Sequence, residues 1–149
     1  MVTAPISLKG RALRLLSGRE YSHAELLRKL SPHEEKPGDL AKVLDELAEK
    51  GFVSDQRALE SLVHRRAAKL GGGRIRQELQ AKGLAPEAIH EALAQLRASE
   101  AERALQVWRK KFGGQPADAS ERARQMRFLA SRGFDGDVIR KVIGGAIDD

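Results

Sequence analysis

The stretch Leu79-Gln80-Ala81-Lys82-Gly83-Leu84-Ala85-Pro86-Glu87-Ala88-Ile89-His90-Glu91-Ala92-Leu93 decides the fold. Gly83 stops one helix, Pro86 sits in the first turn of the next, and apolar residues fall at Leu79, Ile89 and Leu93. The same frame recurs as Leu30, Leu40, Leu44 and as Leu129, Ile139, Ile143, with copies starting 49 and then 50 residues apart. A period of that length holds about three short helices, and a row of such units is the sequence signature of a repeat protein.

Working outward, Leu13, Leu15 and Leu16 predict a first helix, and Ser22-His23-Ala24-Glu25 has the spacing of a capping box opening a second. Residues 31–39 carry Pro32, Pro37 and Gly38 and read as a loop before a helix on Leu40, Val43, Leu44 and Leu47. Gly51, with Phe52 folding back on Leu47, gives that helix a Schellman stop; Gly83–Leu84 and Gly133–Phe134 repeat the pattern behind Leu79 and Leu129. A cation, Lys50, Lys82 or Arg132, precedes each glycine and suits the negative helix end.

Ala58, Leu59, Leu62 and Val63, with Leu70 as a further candidate, form the apolar face of another helix, followed by helices on Ile75 with Leu79 and on Ile89, Leu93 and Leu96. Ser99-Glu100-Ala101-Glu102 and Asp118-Ala119-Ser120-Glu121 are two more expected capping boxes, and Leu105, Trp108 and Phe112 share one helical face. Val138, Ile139, Val142 and Ile143 predict the last helix. With no sustained alternation, the expected fold is all-α: three tandem three-helix repeats, residues 1–53, 54–98 and 99–149, in an elongated, curved array.

Composition narrows the function. Cysteine is absent, which excludes disulfides and thiolate-held zinc, and the four histidines have no paired ligand spacing, so no metal and no cofactor are expected. Asp135-Gly136-Asp137 lacks the further ligands of a calcium loop and reads as a turn and helix cap. Apolar runs are short and interrupted by cations, so no membrane partner and a cytoplasmic location are expected. No carboxylate pair or activated nucleophile can be nominated from spacing, which argues against an enzyme.

The formal charge of +6 favours a polyanion or an acidic protein surface as partner. The three repeats hold 9 basic and 8 acidic, 8 and 5, and 10 and 8 residues, so the middle one has the largest excess. Arg65, Arg66, Lys69, Arg74 and Arg76 are its candidate binding residues; Lys110, Lys111, Arg122, Arg124 and Arg127 are those of the third. Gly71-Gly72-Gly73 does not continue as a nucleotide-binding loop; it reads either as a flexible connection or as amides offered to a phosphate beside Arg74 and Arg76. In Trp108-Arg109-Lys110-Lys111-Phe112 the aromatic spacing favours core packing, with the cations outside.

Val53 to Leu84, VSDQRALESLVHRRAAKLGGGRIRQELQAKGL, resembles the central signature of the RecX family of recombination regulators. Asp55 opening a helix, Glu60 and Val63 within it, Arg65 or Arg66 near its end, a glycine turn and RIRQEL appear in the family's order. The chain departs from the pattern at Ala58-Leu59, where Phe-Ala is frequent, and at Leu70-Gly71-Gly72, where an aromatic precedes Gly-Pro.

The resemblance implies a monomeric, all-helical modulator without an active site. It would lodge in the groove of the RecA filament on single-stranded DNA, inhibit recombinase, ATPase and coprotease activities in DNA repair, recombination and the SOS response, and bind DNA weakly. The alternative, a helix-turn-helix transcriptional regulator, rests on the Ser22 and Leu40 helices; after Phe52-Val53 the chain returns to helix where a wing would need a ribbon.

Overall fold

A computed structural model of the chain describes residues 5–145; the outer ends of the first and third expected repeats, 1–4 and 146–149, lie outside the described residues. Among the described residues there are nine α-helices and no strand. They are α1 (Leu8–Leu16), α2 (His23–Leu30), α3 (Asp39–Glu49), α4 (Asp55–Arg66), α5 (Gly72–Ala81), α6 (Pro86–Arg97), α7 (Glu100–Phe112), α8 (Ala119–Ser131) and α9 (Gly136–Ile143). A 3-10 turn, Ser31–His33, follows α2.

All nine positions of the leucine frame are buried, none more than 7% exposed. Burying one such side chain contributes about 1.5–3 kcal/mol, so the frame is a large share of what holds the helices together. The chain divides into two compact units, one of residues up to Ser61 with Ala81–Leu84, the other of Leu62–Gln80 with residues from Ala85 on.

In the first unit α1, α2 and α3 pack around Ala12, Tyr21, Leu26, Leu30, Leu40, Leu44, Leu47 and Val53. The Ser22 capping box is complete: its hydroxyl accepts from the Glu25 N–H at 3.1 Å, and the Glu25 carboxylate accepts from the Ser22 N–H at 2.9 Å. The same hydroxyl donates to the Lys82 carbonyl at 2.5 Å, Arg28 donates to the Ala81 carbonyl at 2.7 Å, and Lys82 pairs with Glu25 at 3.1 Å. The segment Ala81–Leu84 is thus docked on the start and outer side of α2. Burial alone would raise the Glu25 pKa, but the Ser22 N–H, Arg19 and Lys82 together hold it below the usual carboxylate value.

In the second unit α7, α8 and α9 pack on one another around Ala104, Leu105, Trp108, Leu129, Phe134, Ile139, Val142 and Ile143. The Trp108 indole donates to the Gln125 carbonyl oxygen at 2.8 Å, which satisfies the indole N–H and lets a glutamine sit at 2% exposure. Asp118 caps α8 by accepting from the Glu121 N–H at 2.8 Å, but the expected box is only half made, since the Glu121 carboxylate accepts from Gln125 at 3.4 Å instead.

Two further local expectations are corrected. Ser99 makes no cap to α7; it lies in the right-handed region (φ −101°, ψ −1°), and its backbone N–H and hydroxyl both donate back to the Leu96 carbonyl at 3.1 Å. Phe52 has the expected backbone bond to the Leu47 carbonyl, 2.9 Å, but its ring is 49% exposed and Val53 occupies the core instead. The matching residues Leu84 and Phe134 are buried at 6% and 5%.

A basic groove as candidate functional site

Backbone geometry near the glycines sets the site. Gly133, at φ +90°, brings the end of α8 against the start of α5 with no side chain between them. The Gly71 N–H donates to the Arg132 carbonyl at 2.8 Å, the Gly73 N–H to the Gly133 carbonyl at 3.0 Å, and the Gly72 N–H to the Glu100 carboxylate at 2.7 Å. Of the two readings of Gly71-Gly72-Gly73, the structure supports neither a loose connection nor an open phosphate cradle. The three amides are spent on internal acceptors, and the anion at this helix start is the protein's own Glu100.

Arg103 fixes the neighbouring turn. One guanidinium nitrogen donates to the carbonyls of Ala67 and Leu70, at 2.8 and 2.7 Å, and the Nε donates to the Ser99 hydroxyl at 3.1 Å. Burial lowers its pKa, while the Glu100 charge acts the other way. Held in this way, the turn after α4 displays Ala68 and Lys69 next to α7 and α8.

There the three segments form a groove of about 790 Å³. Ala68, Val107 and Phe128 supply apolar lining, and Lys69, Lys110, Lys111 and Arg132 supply cations; Gln106 and Arg109 complete it. No carboxylate lines it among the described residues. Phe128 and Phe112 form a T-shaped pair, ring centroids 5.3 Å apart at 88°, with Arg132 over the Phe128 ring at 4.6 Å and Lys111 at 5.5 Å. Such contacts are worth about 0.5–1 kcal/mol each when exposed, and they hold the cations at the groove.

The structure therefore sorts the sequence candidates. Lys69, Lys110 and Lys111 meet in the groove. Arg65, Arg76, Arg122 and Arg127 are exposed but line no part of it. Arg66 is half-buried and bound to both oxygens of Glu78, at 2.9 and 3.3 Å, Arg74 donates to the Ser131 carbonyl at 3.3 Å, and Arg124 lies 3.8 Å from Glu121 and over the Phe112 ring at 5.5 Å. Sequence reasoning did not nominate Arg132, Phe128 or Arg103. The i, i+4 spacing of Phe128 and Arg132 was the available signal for the first two.

Among the described residues no three metal-ligating side chains come together, and no helix is long and apolar enough to cross a membrane. The fold and site define an all-helical repeat protein with a groove lined by apolar and basic side chains.

Family models identify it further: that of the RecX third three-helix domain matches residues 98–143, and that of the second matches residues 54–93. A regulatory protein RecX of Leptothrix cholodnii is 54% identical over 138 residues, spanning 93% of this chain and 88% of its own length. One from Herbaspirillum seropedicae is 52% identical over 141 residues, spanning 95% and 92%. The chain belongs to the RecX family of regulatory proteins. Its fold matches a crystal structure of regulatory protein RecX with TM-score 0.78 at 24% identity, covering 93% of this chain and 71% of that one. It also matches RecX from Lactobacillus salivarius with TM-score 0.75 at 18% identity, covering 93% of each.

Proposed function

We propose that the chain is a non-enzymatic negative regulator of the RecA recombinase. It binds in the groove of the RecA filament on single-stranded DNA and lowers recombinase, ATPase and coprotease activity during recombination, repair and the SOS response. The observation that carries this reading is the similarity to regulatory RecX proteins over 93% of the chain. A cation-lined groove gives the reading a surface on which an acidic filament segment can be held.

In this account the protein acts in the cytoplasm as a monomer, and its repeats, 1–53, 54–98 and 99–149, make separate weak contacts along the filament. Each contact raises the effective concentration of the next, provided the spacing of the units matches that of the filament subunits. Arg65, Arg76, Arg122 and Arg127, exposed outside the groove, supply further contacts to the filament, with direct DNA binding a weak additional contribution.

The test is a titration of the folded protein into RecA filaments, following DNA-dependent ATP hydrolysis and strand exchange. Both rates fall if the reading is right. Unchanged rates overturn it, and tight binding to one duplex sequence without recombinase would favour a transcriptional regulator.

A further inference from the structure

We infer that the groove between the α4 turn, α7 and α8 takes an acidic peptide segment bearing a large apolar side chain, and that it reads peptide rather than nucleic acid. The inference rests on the regulator reading above and names the chemistry of the partner at that surface.

Charge complementarity supplies the first part of the argument. Lys69, Lys110, Lys111 and Arg132 stand around one depression that no carboxylate lines among the described residues, so an uncharged or basic segment would offer these cations no counter-charge. Lys69, Lys110 and Lys111 are all exposed, and a carboxylate can reach them without disturbing the core.

The lining supplies the second. Ala68, Val107 and Phe128 give the groove an apolar bed, and a volume of about 790 Å³ accommodates more than a single ion. A phosphate backbone gains nothing from that bed, whereas a Leu or Phe flanked by carboxylates uses both the bed and the rim.

Aromatic geometry supplies the third. Single-stranded nucleic acid is held by bases stacked on open aromatic faces. Among the described residues Phe128 is the one aromatic lining the groove, and its ring is already engaged by Arg132 at 4.6 Å, Lys111 at 5.5 Å and a T-shaped contact with Phe112. A base could stack there only by displacing those partners.

The test uses the full chain and two dye-labelled peptides of aspartate and glutamate, one with a central Leu-Phe pair and one with Ala-Ala, followed by fluorescence anisotropy. The Leu-Phe peptide should bind about tenfold tighter, the gain expected from seating one partly buried apolar side chain. Ala68→Trp fills the bed from an exposed turn position and should remove that preference, while Lys69→Glu combined with Lys110→Glu should weaken both peptides about tenfold. Circular dichroism confirms that each variant keeps its helices.

Equal affinity for the two peptides overturns the inference, as does a preference that survives both variants. Displacement of the Leu-Phe peptide by an oligothymidine at lower concentration than by unlabelled peptide also overturns it and gives the groove to nucleic acid. A wild-type protein that suppresses filament ATP hydrolysis but fails these tests sinks the peptide inference alone. Passing them while leaving the filament unaffected sinks the filament reading alone.

Discussion

Replacing Gly133 by alanine tests the backbone interlock that builds the groove. The residue has φ +90°, where an L side chain costs about 1–2 kcal/mol, and an added Cβ would overlap the backbone nitrogen of Arg74. Relieving that overlap must stretch the bonds from Gly71 to Arg132, 2.8 Å, and from Gly73 to Gly133, 3.0 Å. Each is worth about 0.5–1.5 kcal/mol, so the overlap adds roughly 1–3 kcal/mol to the conformational strain.

Gly113 provides the control. It has φ +74° at the end of α7, and nothing stands within 4 Å of where its Cβ would be. Gly113→Ala should therefore show the strain alone, about 1–2 kcal/mol, and Gly133→Ala a total of roughly 2–5 kcal/mol. Urea unfolding followed by circular dichroism measures both, and the melting temperature should fall by about 2–4 °C per kcal/mol. Equal losses in the two variants would refute the interlock, because only the close approach of α8 to α5 separates them.

Other outcomes follow from single residues. Leu79→Ala empties a position with 0% exposure and should cost roughly 2–5 kcal/mol in the same unfolding assay. Arg103→Ala strips the donors from the Ala67 and Leu70 carbonyls and should cost roughly 2–4 kcal/mol, with faster amide exchange confined first to the turn after α4. Glu25 has a folded pKa below its unfolded value of about 4.5, so its stabilisation is present above that pH and is lost as the pH falls through the lowered folded value. The difference in melting temperature between wild type and Glu25→Gln should shrink through that window; a difference constant with pH contradicts the assignment. Combined reversal of Arg65 and Arg76 to Glu should weaken filament inhibition and flatten its salt dependence without loss of helicity.

Helix positions were legible in the sequence because they depend on spacing within one segment. The leucine frame, the Ser22 box, the Asp118 cap and Pro86 at the start of α6 each rest on residues within a few positions of one another. The Ser99 box failed because Ser99 stays in the right-handed region and its backbone N–H and hydroxyl both donate back to the Leu96 carbonyl, at 3.1 Å each. Phe52 was misread for another reason: Schellman spacing sets the backbone bond, whereas burial of the next side chain depends on what packs above it.

The binding surface was less legible. Lys69, Lys110 and Lys111 could be nominated one by one, but their convergence depends on α7 and α8 packing beside the α4 turn. Arg66 and Arg74 look like their neighbours in the sequence and differ only through Glu78 and the Ser131 carbonyl, 12 and 57 residues away. Arg132 was read only as a helix-end cation and Phe128 was not singled out, because a single aromatic at helical spacing reads as core until the cations around it are placed in space.

The most direct measurement is zero-length carbodiimide coupling of the protein to RecA filaments, followed by mass spectrometry of the linked peptides. This chemistry joins an amine to a carboxylate only when the two are in salt-bridge contact. The account predicts links from Lys69, Lys110 and Lys111 to an acidic filament segment that also carries a large apolar residue. A protein that inhibits the filament yet links only through lysines of the first unit, such as Lys29 and Lys42, would contradict it.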